Sequence, residues 1–369
     1  MTTGIRSEND LPTPSLVIDA AAVERNLARM ADYCRAHGLA LRPHAKTHKS
    51  LHMARRQLAH GAAGLTVAKV GEAETMAAAT RDLFVAYPAL DPARAHRLAE
   101  LAAENALRVA VDSTMAIDAL ATPARTRGSV IGILVDLDVG YHRTGVQTVR
   151  AAVELAQHVA KQPALRFDGL MIYPGHVGVP KDRVEALMRE VAAVADDALD
   201  QLRRAGLPPH VVSGGSTPSA FHSHLVPACT EIRPGTYLYN DWNTASAGHC
   251  ALDDCAARVE CTVVSDAVPG KVVIDAGSKT LTSDRLMTDP QHGGFGHVVG
   301  FPDARIVRLT EEHGEIDVAR CPSRPKLGQR VWVIPNHICP CVNLQDNVWL
   351  KHGEGELQPL RIDARGMLV

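Results

Sequence analysis

An α/β chain built as a (β/α)8 TIM-type barrel, followed by a mainly β domain, is predicted by three features of the sequence. Eight short apolar runs rich in β-branched residues, at 39–44, 65–68, 83–87, 107–112, 131–136, 167–173, 210–213 and 231–233, are bounded by turn residues. Segments of helical periodicity rich in Ala, Leu, Arg and Glu lie between them, including 50–60, 71–80, 92–105, 149–161 and 181–205. Beyond residue 246 long helical segments vanish, and short runs at 257–264, 271–275, 297–300 and 330–334 alternate with Gly, Pro and Asp turns. Eight strands alternating with helices over about 200 residues is the arithmetic of a barrel. A doubly wound open sheet is the competitor, weakened because no Gly-x-Gly-x-x-Gly turn follows an early strand. The barrel is therefore expected over 20–245 and the β domain over 246–369.

Charge and composition remove several function classes. The 369 residues carry 39 basic and 41 acidic side chains, a net charge of −2. That leaves no electrostatic footprint for nucleic acid and no polybasic run for a membrane surface, so neither partner is expected. The first fourteen residues are polar and no apolar stretch approaches twenty residues, which predicts a cytoplasmic location. The eight cysteines (34, 229, 250, 255, 261, 321, 339 and 341) are too sparse for a disulfide framework; free thiols or a metal site are expected instead. Cys250, Cys255 and Cys261 lack zinc-knuckle spacing and read as structural.

Barrel enzymes carry chemistry on the loops after the C-terminal strand ends, where this chain concentrates its unusual polar residues. After the first strand comes Arg42-Pro43-His44-Ala45-Lys46-Thr47-His48-Lys49. In an extended chain His44, Lys46 and His48 share one face, and neighbouring cations lower a lysine pKa, which suits a Schiff-base lysine. A solvated basic surface is the bland alternative. The fifth strand is followed by Asp136 to Gly145, including Arg143, and the sixth by Tyr173-Pro174-Gly175-His176. After the seventh, Ser213-Gly214-Gly215-Ser216-Thr217 joins hydroxyls to a Gly-Gly turn whose amides can approach an anion. Arg233-Pro234-Gly235-Thr236 follows the eighth, and barrels often bind phosphate after strands seven and eight. A phosphate cradle is thus expected from 213–217 with Gly235 and Thr236; an ordinary loop is the alternative.

A second loaded stretch is Pro335-Asn336-His337-Ile338-Cys339-Pro340-Cys341. If it is extended, His337 and Cys339 face one way and can converge on a metal, leaving open positions for substrate. Thiolate favours zinc, whereas magnesium and manganese prefer oxygen. Cys341 is a rival ligand, and buried thiols beside a core histidine are the structural alternative.

Together with Leu11-Pro12-Thr13-Pro14-Ser15-Leu16-Val17-Ile18-Asp19 and Val23-Glu24-Arg25-Asn26-Leu27, these motifs resemble the D-threonine aldolase and D-serine dehydratase family of alanine-racemase-like, pyridoxal 5'-phosphate (PLP) enzymes. The likeness runs nearly the whole length, with further matches at 140–145, 213–217, 233–241, 275–284 and 335–346. It implies that Lys46 carries PLP, that Arg233 faces the pyridine nitrogen and that Arg143 reaches other polar groups of the cofactor. It also implies a divalent metal (Zn, Mn or Mg) on His337 and Cys339, an N-terminal segment 1–19 that joins the β domain, and a homodimer.

The expected reaction is retro-aldol cleavage of a D-3-hydroxy amino acid to glycine and an aldehyde. His176, with Tyr173 beside it, is the candidate base for the 3-hydroxyl, and Lys46 for the α-proton. Dehydration to a keto acid and ammonia, as in D-serine or D-3-hydroxyaspartate dehydratases, is the alternative. A non-catalytic PLP-homeostasis protein would resemble the barrel alone, without the β domain. Racemisation is disfavoured because it needs a tyrosine from the β domain, and Tyr33, Tyr87, Tyr141, Tyr173, Tyr237 and Tyr239 all precede residue 246. The family-like segments 275–284 and 293–297 suggest no chemistry by themselves, and His292, His297 and His313 read as surface residues.

Overall fold

The computed structural model describes residues 10–353 and 356–369, so the first nine residues of the segment 1–19 lie outside the described residues. β1 (Ser15–Asp19) runs into α1 (Ala20–Ala36) and then into β2 (Ala40–Leu41). The chain next alternates α2 (Leu51–Ala59), β3 (Leu65–Val67), α3 (Val70–Met76), β4 (Asp82–Val85), α4 (Pro92–Ala102), β5 (Ala106–Val111), α5 (Thr114–Arg127) and β6 (Ile131–Leu137). α6 (Val149–Ala160), β7 (Leu165–Ile172), α7 (Val184–Arg204), β8 (Val211–Gly214) and β9 (Glu231–Ile232) complete the pattern.

Strands β2 to β9 form one parallel sheet in the order β2-β9-β8-β7-β6-β5-β4-β3. It closes through the bridge between His44 and Thr66, where Ala45 N donates to Thr66 O (2.8 Å) and Thr66 N to Pro43 O (2.9 Å). Every residue of β6, Ile-Gly-Ile-Leu-Val-Asp-Leu, is buried, which is why a parallel strand covered on both faces reads as an apolar run. Phe84, Ala110, Leu134 and Met171, one each from β4 to β7, pack together. α7 buries Val184, Met188, Val191, Ala195, Ala198 and Leu202, the three-to-four spacing of one helical stripe.

α5 goes beyond the segments singled out above: Pro123 interrupts its pattern, yet Ser113 caps its start by accepting from Ala116 N, and Gly128 ends it at φ 73°. Between β8 and β9 the connection is a 3-10 turn, Ala220–Leu225, in place of an α-helix.

The remaining elements are α8 (Trp242–Ser246), β10 (Ala257–Ser265), β11 (Lys271–Ile274), α9 (Ser278–Leu281), β12 (His297–Val298), β13 (Arg305–Leu309) and β14 (Gly314–Asp317). β15 (Arg330–Ile334), α10 (Ile338–Asn343), β16 (Asn347–His352) and β17 (Glu356–Arg361) follow. Six strands, β10-β15-β12-β13-β14-β11, close on themselves through the β10–β11 pairing, and β1, β16 and β17 extend from β10. β1 is antiparallel to β10 and parallel to β16.

The chain divides into two compact units, 29–235 with 367–369, and 1–28 with 236–366, rather than at 19/20 and 245/246. The reason lies in hydrogen bonds. Asn26 Nδ2 donates to Leu238 O and Asp254 O, while Trp242 N and Asn243 N donate to Pro335 O and Asn336 O. These bonds tie the start of α1 and the whole of α8 to the β-rich unit. Among the described residues no helix is long and apolar enough to cross a membrane.

Candidate active site

The Lys46 segment differs from the expected extended run. Residues 45–48 form a turn closed by Lys49 N donating to Ala45 O (2.8 Å), so His44, Lys46 and His48 do not line up on one face. His48 is buried and committed elsewhere, with Nε2 3.1 Å from Gln57 Oε1 and Nδ1 accepting from Ser50 N. His44 stays with the lysine, its Nδ1 accepting the Lys46 N–H (3.4 Å). Burial first, and then the charges of Lys46, Arg233, His48 and Arg143, hold the His44 pKa well below its usual value, so the ring is neutral.

Lys46 is exposed while every other residue from Leu41 to Ser50 is buried, and it makes no ion pair among the described residues. Lys49 is the contrast: its buried Nζ lies 2.7 Å from Glu72 Oε1. Lys69 sits over the Tyr87 ring and Lys279 pairs with Glu312. The turn packs so tightly on Gly235 that a Cβ there would lie 2.9 Å from Thr47 Oγ1 and 3.1 Å from His44 Cβ.

Arg233, just past β9, is buried; Nη1 donates to Ser213 Oγ (2.8 Å) and Nη2 to Ile172 O (3.1 Å). Burial lowers its pKa, opposed by Glu231 and Asp136. Asp136, in β6, is buried too. Burial raises its carboxyl to about 6 although Thr144 Oγ1 donates to it (2.9 Å) and Arg233 and Arg143 attract its charge.

Arg143 is exposed, with Cζ 4.6 Å from the Tyr173 ring centre and 5.3 Å from that of Tyr141. The two tyrosines meet edge to face at 5.4 Å. Gly175 permits this, since a Cβ there would lie 2.6 Å from Tyr173 Cε1 and 2.7 Å from Tyr141 Cδ1. Asp136, Leu137, Asp138, Tyr141, Arg143, Thr144 and Tyr173 line a shallow, open cleft.

His176 stands in the turn Gly175–Val177 against Gly140, where a Cβ would lie 3.2 Å from the imidazole. Among the described residues its buried Nδ1 has no hydrogen-bond partner. Burial lowers its pKa, partly offset by Asp138 and Glu190, which favours the neutral, proton-accepting form.

In the expected phosphate turn the residues divide. Ser213 Oγ is fully buried and donates to Glu231 Oε1 (2.6 Å), so it faces the barrel interior. Ser216 and Ser219 hydroxyls share a 2.9 Å hydrogen bond. Gly215, at φ 79°, makes the turn that only glycine adopts freely. This leaves the backbone at Gly214 and Gly215 and the half-buried Thr217 to meet an anion. Thr236 instead lies with Cys339, its Oγ1 3.5 Å from Sγ.

The His337 stretch is helical where an extended run was expected: His337 caps α10, and Pro340 is accommodated in the first turn, where its missing N–H costs nothing. His337 Nδ1 is 2.7 Å from Asp284 Oδ2, which directs the other ring nitrogen to Cys339. Burial opposes charge on His337, but Cys339, which also hydrogen-bonds it, Asp241 and Asp284 raise its pKa to about 10. An imidazole nitrogen and a sulfur side by side are donors that suit a zinc-type cation. A carboxylate on the far nitrogen is the usual outer partner of a metal-bound histidine.

Among the described residues no three His, Cys, Asp or Glu side chains are grouped to hold a metal; of the expected metal site the fold brings His337 and Cys339 together. Cys341 donates to Leu281 O and His337 O, both 3.3 Å, and burial pushes its pKa far up, which keeps it a thiol.

Sequence reasoning missed Asp284, Asp241 and Glu231, whose partners are remote in sequence. His297 is half-buried, stacked 4.5 Å from Trp242. Tyr237 and Tyr239 belong to the β-rich unit, which removes the positional argument against racemisation. Both are nevertheless buried, and burial drives the Tyr239 hydroxyl pKa far up, unlike a working proton carrier.

Residues 18–241 match the family model of the alanine racemase N-terminal domain, and 256–350 that of a putative serine dehydratase domain. The chain is 32% identical over 366 residues to D-threonine aldolase from an Arthrobacter species, covering 96% of this chain and 93% of that one. It is 34% identical over 351 residues to D-threo-3-hydroxyaspartate dehydratase of Delftia sp., covering 89% and 91%. The crystal structure of D-threonine aldolase from Filomicrobium marinum matches with a TM-score of 0.90, 31% identity and full coverage of both chains. A cysteine-to-alanine variant of a D-threo-3-hydroxyaspartate dehydratase, solved in the metal-free form, matches with a TM-score of 0.89 and 30% identity, covering 96% and 98%.

Proposed function

Because the chain belongs to the D-threonine aldolase and D-serine dehydratase family of alanine-racemase-like enzymes, we propose that it is a PLP- and metal-dependent lyase cleaving D-3-hydroxy amino acids by retro-aldol reaction. The observation that carries this reading is the single exposed lysine of an otherwise buried turn, Lys46, with neutral His44 beside it. When bound, PLP supplies an electron sink for the bond broken at the substrate's α-carbon.

Lys46 holds the cofactor. The buried Arg233 would meet the ring nitrogen and, being a cation, would leave the ring a weaker sink than a carboxylate partner would. Gly214, Gly215 and Thr217 would hold the phosphate, and Arg143, stacked on the Tyr173 ring, would supply positive charge to the cofactor's other polar groups. His176, neutral through burial, accepts the proton of the substrate 3-hydroxyl. His337 and Cys339 would hold a divalent metal, zinc by preference for thiolate, and that metal would supply Lewis acidity toward a substrate oxygen.

Dehydration is the second reading, favoured by the identity to the Delftia dehydratase. The test is incubation with D-threonine, D-serine and D-threo-3-hydroxyaspartate followed by product identification. Glycine with an aldehyde is expected; a keto acid with ammonia and no glycine refutes the aldol reading, and no turnover with PLP bound returns the chain to the homeostasis class.

A further inference from the structure

Behind Arg233 lies a line of buried charge that the site described so far does not use. Arg233 Nη1 donates to Ser213 Oγ at 2.8 Å, and that hydroxyl donates to Glu231 Oε1 at 2.6 Å. Glu231 Oε2 accepts from Arg42 Nε at 2.9 Å, and the other edge of Arg42 grips both oxygens of Asp82 at 2.8 and 3.1 Å. Arg233, Ser213, Glu231 and Arg42 are all 5% exposed or less. Charges this deep persist only when each has a partner, so the line constrains every group in it.

A serine has one hydrogen to give. Because Ser213 gives it to Glu231, its lone pairs face Arg233, and the direction of each bond is set. The backbone builds this in: Ser213 and Glu231 are register partners on adjacent strands β8 and β9, and Arg233 follows Glu231 by two residues. A direct carboxylate would tie the guanidinium down as an ion pair. A carboxylate one hydroxyl away orients it while leaving its charge directed elsewhere.

Resting on the reading that PLP occupies this barrel with its ring nitrogen toward Arg233, we infer that Ser213 and Glu231 are positioning residues that aim the Arg233 guanidinium at the cofactor ring. Without the Ser213 oxygen, Nη1 loses its acceptor, and the buried guanidinium is left to the pull of the Asp136 carboxylate, whose charge already acts on it.

The test uses Ser213→Ala, Ser213→Thr and Glu231→Gln in the full chain, titrated with PLP and followed by visible absorbance and its pH dependence. Ser213→Ala and Glu231→Gln should weaken PLP binding by about tenfold to a hundredfold, the range of a lost hydrogen bond to a charged group. The absorbance titration should move, and kcat should fall with KM little changed. Ser213→Thr, which keeps the hydroxyl, should restore affinity and spectrum. Circular dichroism checks the fold, and if Glu231→Gln does not fold the Ser213 pair alone decides. Wild-type affinity and spectrum in Ser213→Ala overturn the inference, as does equal loss in Ala and Thr, which would mean packing alone. Wild-type protein that binds no PLP overturns the underlying reading and this inference with it.

Discussion

Replacing Asp136 by asparagine should stabilise the protein, by an amount set by pH. The carboxyl ionises near its ordinary 3.8 in the unfolded chain but at about 6 in the folded barrel, because burial penalises its charge. Below 3.8 the two states bind the proton equally and the substitution is neutral on this account. As pH rises through 6 the folded state must ionise a buried group, and its penalty approaches about 3 kcal/mol. Asparagine imitates the protonated form and can still accept from Thr144 Oγ1. Integrating the two titrations gives a gain of about 1 kcal/mol at about pH 4.5 and about 3 kcal/mol at about pH 7.5. In a unit of this size that is roughly 6–12 °C in melting temperature at the higher pH. Thermal unfolding of both proteins across that range measures it. A gap that does not change with pH, or a variant less stable at the higher pH, would refute the assignment of Asp136 as a buried, partly compensated charge. Turnover should fall as stability rises, since the carboxyl answers Arg233 and Arg143 in the site.

Three further outcomes follow from the geometry. Borohydride reduction of the PLP-loaded protein should fix the cofactor on Lys46, and peptide mapping should find Lys49 unmodified because its amine is buried against Glu72; an adduct on Lys49 would overturn the site. Gly175→Ala should cut kcat/KM at least tenfold with a small change in melting temperature, since the added carbon displaces Tyr173 and Tyr141; unchanged kinetics would remove the tyrosine pair from the site. Chelation should abolish turnover while PLP absorbance and the fold persist, with divalent metal restoring activity. Cys339→Ala should mimic chelation irreversibly, whereas Cys341→Ala should keep the metal response at a stability cost of about 1–2 kcal/mol; loss of metal in Cys341→Ala would replace the two-ligand site.

Much of the barrel was readable because strands covered on both faces show unbroken apolar runs, as β6 does. α5 was obscured by Pro123, and β17 by Pro359, which an edge strand tolerates because it need not donate on its open side. Lys46 was legible as a residue but not in its geometry, since the turn at 45–48 is imposed by closure of the barrel on Thr66. His337 and Cys339 were found as a pair, while Asp284, 53 residues away, acquires meaning only when folding brings it to His337 Nδ1. Ser213 was assigned from composition to an anion turn; its register opposite Glu231, which no local pattern carries, turns the hydroxyl inward.

The barrel is unevenly laced. Seven register pairs join β6 to β7, whereas β2 and β9 are two residues long and the seam onto β3 is a single bridge at His44 and Thr66. Cooperative opening begins where the fewest backbone bonds must break, so the amides of Ala45 and Thr66 should exchange with solvent deuterium well before those of β6. Lys46 rides on that weak hem. A group that joined Lys46 to the loops after β8 and β9 would brace the hem from one side, so loading the barrel should slow exchange at the hem far more than in the remaining strands, and removing the load need only unbutton a few hydrogen bonds rather than unfold the cylinder.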